Sequence, residues 1–160
     1  MMTTASRCTL IAVLAAMLLA AGPFRPARAA DRNLDICALV STEQLTAVYR
    51  KPLYPTPSDN GCFWSLEPGT MAYLDIGVHD RYQPLRQYFN QQLSSQTTLK
   101  PITDLGDEGL MSVSSGEVGV VIIRKGDRVL RSAAIFLDIE VGSGKQEALW
   151  AIYRAVVERM

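Results

Sequence analysis

His79 is the only histidine in the chain, and Asp75 and Asp80 lie within four residues of it. An imidazole beside a carboxylate is the pairing general-base hydrolysis uses: the carboxylate orients the ring, and the ring takes a proton from a nucleophile. No motif places a nucleophile beside this pair, since the chain has neither a G-x-S-x-G elbow nor an S-x-x-K motif. The favoured reading is therefore a strand-end histidine facing solvent. A single histidine also excludes a His-rich metal site, so no catalytic residue, cofactor or metal is expected. Gly142-Ser143-Gly144-Lys145 looks like the end of a phosphate loop. It lacks the earlier glycine and the Ser/Thr after the lysine, and it reads instead as a helix cap.

A second group is basic. Arg124, Lys125, Arg128 and Arg131 cluster around one expected hairpin, with Arg124 and Arg128 flanking its turn. Two guanidinium groups so placed could cradle a carboxylate or a phosphate, which makes these four the candidate ligand or partner contacts. The favoured reading is nonetheless a charged, solvated hairpin that discourages edge-to-edge aggregation. Phe63 and Trp64 are neighbours on an expected strand and point to opposite faces, one to the core and the other under a helix or along a shallow groove, with core packing the favoured reading for both.

The cysteines take their meaning from the start of the chain. Arg7 precedes an apolar run over residues 10–21, Gly22 and Pro23 break it, and Ala27-Arg28-Ala29 supplies small residues at the two positions a signal peptidase reads. Residues 1–29 read as a secretory signal peptide. The run is too short to span a ~30 Å hydrocarbon core, which takes about 20 residues. Cys8 precedes the run and leaves with it, so it is not a lipid-attachment residue. Cys37 and Cys62 remain, and in an oxidising compartment they allow one intramolecular disulfide. A redox pair or a metal site fits poorly, because 25 positions separate them and no third sulfur or nearby histidine exists.

Residues 30–160 are expected to form a single domain that is secreted or periplasmic and soluble once the signal is cleaved. The whole chain balances 16 basic against 16 acidic residues. Losing Arg7, Arg25 and Arg28 leaves 13 against 16, a net charge of −3. That balance draws the domain neither to nucleic acid nor to an anionic membrane surface. No later apolar stretch is long enough to span a bilayer.

The elements that must position these residues follow from local pattern. Ser41-Thr42-Glu43-Gln44 is a capping box opening a helix to about Arg50, with Leu45, Val48 and Tyr49 inward. Pro52, Pro55 and Pro57 are read as forbidding regular structure, and Asn60-Gly61 marks a turn. Residues 62–66 and 71–78 read as a hairpin, the second strand alternating Ala72, Leu74, Ile76 and Val78 onto one face. Asp80 caps an expected helix over 81–95 with Tyr82, Leu85, Phe89 and Leu93 in its apolar stripe. Residues 100–108 read as a connector, and 109–114, 117–124 and 128–140 as three strands. Ser143-Gly144-Lys145-Gln146 is a second capping box, opening a closing helix with Leu149, Ile152, Tyr153 and Val156 inward. The expected fold is α+β, an antiparallel sheet of about five strands packed against helices in the order α-β-β-α-β-β-β-α.

Three of these segments together resemble a known family. Cys37-Ala38-Leu39-Val40-Ser41, Cys62-Phe63-Trp64 and Asp104-Leu105-Gly106-Asp107-Glu108-Gly109 are similar, in order and spacing, to domain-of-unknown-function family 3558. Its members are small secreted or lipid-anchored envelope proteins with a Cys before a "Leu-Leu-Thr" helix start, a "Cys-x-Trp" strand and a "Gly-Leu-Gly-Asp-x-Ala" turn. The resemblance covers roughly residues 36–156 and implies an envelope location and a disulfide between the matching cysteines. It carries no catalytic residues. Gly109 departs from the family's Ala, and no lipid-acceptor cysteine follows the signal. The expected function is thus a non-enzymatic envelope protein that binds a partner protein or a small ligand. The alternatives are an inhibitor of a secreted enzyme and a hydrolase using His79.

Overall fold

Seven strands lie in one antiparallel sheet whose spatial order is not the chain order. The computed structural model describes residues 34–80, 87, 89, 96–134 and 138–160. These all belong to one unit, Asn33–Met160. The leader expected over 1–29 lies outside the described residues, as does the helix expected over 81–95 apart from Gln87 and Phe89.

The chain opens with a single turn, α1 (Ile36–Leu39), capped by the Asp35 carboxylate, which accepts from the Ala38 N–H. α2 (Thr42–Tyr49) follows, and its capping box is complete: Ser41 Oγ accepts from Gln44 N, and Gln44 Oε1 accepts from Ser41 N at 2.8 Å. Next come β1 (Tyr54–Ser58), β2 (Gly61–Ser65), β3 (Ala72–His79), β4 (Thr97–Ile102), β5 (Glu108–Ser114), β6 (Glu117–Lys125) and β7 (Arg128–Ala134), and α3 (Gly144–Arg159) closes the chain. The sheet order is β1-β2-β3-β7-β6-β5-β4. It consists of two meanders whose last strands, β3 and β7, pair at the centre.

The α+β class stands, but the five-strand count and the expected order do not. Both missed strands are edges. β1 carries Pro55 and Pro57, and β4 carries Pro101. A proline cannot donate to a ladder, but an edge strand leaves one side unpaired, so the missing donor is tolerated there. The same residues blunt the two edges against a further strand. α1 was also unforeseen, being one turn with no periodicity to read. Of the strand expected over 128–140, β7 covers Arg128–Ala134 and Glu140 makes an isolated bridge to Glu117, while residues 135–137 lie outside the described residues. In the second capping box, Ser143 Oγ accepts from Gln146 N as expected, but the Gln146 side chain reaches one residue further back, to the Gly142 N–H.

One face of the sheet carries the core. Cys62 and Trp64, Leu74, Ile76 and Val78, Leu130, and Val121 and Ile123 pack against Leu149, Ile152, Tyr153 and Val156 of α3 and against Leu45 and Val48 of α2. Tyr153 Oη donates to Ser132 Oγ at 2.9 Å, both residues fully buried, so the polar pair inside this core satisfies itself. Cys37 of α1 is disulfide-bonded to Cys62 of β2 and ties the first turn to the sheet. The link from β3 to β4 must travel from the third strand to the seventh, about 19 Å at ordinary strand spacing. Phe89, within that link, is buried against Ile122 and Val129 on the second face of the sheet.

Candidate functional site

Directly opposed residues in an antiparallel pair share a face. The register therefore sets out the second face row by row. Phe63 stands across from Asp75, and Asp75 across from Ala133. In the next row Gly61 faces Gly77, and Gly77 faces Arg131. His79 comes one row beyond, opposite Val129. Gly77 has no side chain, and its backbone lies in the lining of a hollow. Phe63 and Asp75 wall one side, His79 the other, and Arg131 stands across from them. The β1–β2 turn adds Ser58, Asp59 and Asn60, enclosing about 260 Å³.

The hollow mixes charge with an aromatic wall. Arg131 Nη1 lies 3.5 Å from Asp75 Oδ2, both side chains half-buried. Burial pushes the Asp75 carboxyl above the usual carboxylate range, against the opposing pull of Arg131 and His79. The His79 ring folds back over Gly77, with Nε2 only 3.3 Å from where a Cβ on that glycine would sit. Phe63 is 37% exposed, while its neighbour Trp64 is 1% exposed in the core. The period-two alternation expected of this pair therefore gives one core residue and one groove residue.

The sequence-derived candidates divide. Asp75 and His79 share the hollow. Asp80 does not; it pairs with Arg128, its Oδ1 3.1 Å from Arg128 Nε. Among the described residues, no hydrogen bond links His79 to Asp75 or to Ser58. The four basic residues are not gathered together either. Arg124 opposes Val129, and Lys125 opposes Arg128, so Arg124 and Arg128 fall on opposite faces and cannot close on one anion. Arg124 pairs with Asp107 and Glu108. Lys125 Nζ donates to the carbonyls of Val157 and Glu158, capping the end of α3. Arg128 is largely buried, and its Nη1 has no hydrogen-bond partner. Of the four, Arg131 alone lines the hollow.

The Asp104–Gly109 segment has a structural task. Leu105 is buried, and Gly106 takes φ 69 where a Cβ would collide with the Arg124 carbonyl. Asp107 Oδ2 accepts from the Gly126 N–H at 2.7 Å, and the Asp107 N–H donates to Arg124 O. The segment clamps the β6–β7 hairpin.

Ser58, Asp59 and Asn60 were missed as site residues, although the turn itself was read from Asn60-Gly61. Only the register shows that this turn overhangs a glycine floor. Among the described residues, no three His, Cys, Asp or Glu side chains group as metal ligands would. No helix among them is long and apolar enough to cross a membrane. Compared with protein-family models, curated proteins and solved structures, the chain matches none.

Proposed function

We propose that this chain is a non-enzymatic binding protein of the extracytoplasmic envelope and that the hollow over Gly77 is its ligand site. One observation carries the reading. A backbone-floored dent is ringed by a cation, carboxylates, an imidazole, a hydroxyl, an amide and a half-exposed phenyl ring. Hydrogen-bond donors and acceptors around an aromatic wall suit a small polar molecule, or the polar end of a larger one. At about 260 Å³ the hollow is just below the usual range for drug-sized ligands and takes roughly one ring. The Cys37–Cys62 bond supports the location, since structural disulfides persist in oxidising compartments. The reading also draws on the resemblance to family 3558, whose members are envelope proteins.

The test is an NMR titration with neutral sugars, amino acids, small amines and small carboxylates. At least one class is expected to give saturable amide shifts confined to Phe63, Asp75, Gly77, His79 and Arg131. Phe63→Ala and Arg131→Ala should each weaken that binding at least tenfold, while Arg124→Gln leaves it unchanged. Shifts elsewhere, or none from any class, refute the proposal.

A hydrolase reading has one observation in its favour: Ser58 lines the same hollow as His79 and Asp75. An esterase and peptidase screen of wild type, Ser58→Ala and His79→Ala decides it. Turnover lost in both variants would establish the enzyme, and equal or absent turnover removes it.

A further inference from the structure

A second hollow, of about 130 Å³, lies between the end of α2, the start of α3 and β3, and shares no residue with the first. Val48, Leu66 and Tyr73 give it apolar walls, and Arg50, Lys51 and Lys145 give it three cations against one carboxylate, Asp138. Tyr49 stiffens it, donating its hydroxyl to Tyr73 O at 3.0 Å and meeting the Tyr73 ring edge-on.

Two of the three cations stand where local physics disfavours them. Arg50 ends α2 in the left-handed region, φ 55 and ψ 21, a place where glycine sits freely and an L-residue is strained. Lys145 is the second residue of α3, and the positive end of the helix dipole repels a cation there. Its ammonium turns instead to the Asp138 carbonyl oxygen at 3.4 Å. Each choice lowers local stability, and both side chains line the same cavity. Coincident breaches of local rules mark function more often than chance. Neither Arg50 nor Lys51 makes a side-chain hydrogen bond or ion pair with any described residue. The partial charge of about −0.5 at the end of α2 offsets only a fraction of the excess of about two positive charges.

We infer that this hollow binds a phosphate group, either free or as a phosphomonoester. A dianion matches the excess charge where a carboxylate leaves half of it unmet. The guanidinium fork and two ammonium groups suit tetrahedral oxygens. The apolar walls accept the carbon beside an ester oxygen, and the small volume excludes a nucleoside. Gly142-Ser143-Gly144-Lys145 thus contributes its lysine to an anion site without forming a phosphate loop.

The test titrates the full chain, at constant ionic strength, with inorganic phosphate, glycerol phosphate and vesicles containing phosphatidate. Saturable amide shifts at Arg50, Lys51, Tyr73 and Lys145 are expected in at least one arm, and the arm that responds identifies the source of the phosphate. Lys145→Gln and Arg50→Gly should each weaken binding about tenfold or more. In phosphate-free buffer Arg50→Gly should melt higher than wild type, by about 3 °C. Matching shifts from chloride, no shifts in any arm, or wild-type affinity in both variants overturns the inference. So does an Arg50→Gly chain that melts lower than wild type, because Arg50 would then serve the fold.

Discussion

Gly61 and Gly77 face each other across the β2–β3 pair, and Gly77 lies in the lining of the hollow on the face of the sheet opposite the core. The two glycines are not equivalent. A Cβ on Gly61 would collide with the Ile76 carbonyl and lie 2.8 Å from Gly77 Cα. A Cβ on Gly77 would press on the far end of the His79 side chain, 3.3 Å away, and meet the Asn60 carbonyl at an ordinary 3.8 Å.

Gly61→Ala should therefore destabilise the fold by roughly 2 kcal/mol or more, because backbone must move. Gly77→Ala should change stability by less than about 1 kcal/mol while displacing the His79 ring and filling the hollow. Urea denaturation measures the first difference, and ligand titration of Gly77→Ala measures the second. Equal stability losses in the two variants would contradict the assigned geometry.

Asp75 should make stability depend on pH. Burial raises its carboxyl above the ordinary 3.8, so the folded chain holds this proton more tightly than the unfolded chain. Its contribution is greatest below the ordinary value and declines as pH rises through the raised one. Asp75→Asn should flatten that part of the pH–stability curve. Arg131→Gln removes an opposing pull, so a carbon-detected NMR titration should show the Asp75 carboxyl moving further up. Movement downward would refute the pairing.

Two glycines with positive φ separate strain from collision. Gly116, φ 86, has open space where a Cβ would go, and Gly106, φ 69, has the Arg124 carbonyl and Ile123 Cγ2 in the way. Gly116→Ala should cost about 1 kcal/mol from backbone strain alone. Gly106→Ala should cost roughly 3 kcal/mol or more, since it also pries the Asp104–Gly109 clamp from the β6–β7 hairpin. Chemical denaturation of both variants gives the comparison.

Removing the Cys37–Cys62 bond should cost about 3.5 kcal/mol by the chain-entropy model. Unfolding of a Cys37→Ser/Cys62→Ser double variant measures it. Intact mass should rise by two hydrogens on reduction, and a protein with two free thiols before reduction would contradict the bond.

Local pattern revealed much of this fold. The Ser41 capping box placed α2, period-two alternation placed β3, the glycine turns placed β5 to β7, and two cysteines in a chain whose start reads as a leader pointed to one bond. The edges were hidden, because Pro55, Pro57 and Pro101 argue for loop in isolation and become tolerable only where no neighbour needs their donor. The site was partly visible. His79 and Asp75 drew attention as neighbours in sequence, and Phe63 as the partner of a core tryptophan.

The sequence by itself determined five of the seven strands, the inward faces of α2 and α3 and, once Cys8 is assigned to a leader, the disulfide partners, because those depend on contacts a few residues apart or on having only one possible pairing. The tertiary structure alone decided that β3 lies beside β7, that Gly61 meets Gly77, that Arg131 stands next to them, and that Arg124 and Arg128 part to opposite faces. Those relations depend on strand order and register, which are set by burying one face of a seven-stranded sheet as a whole.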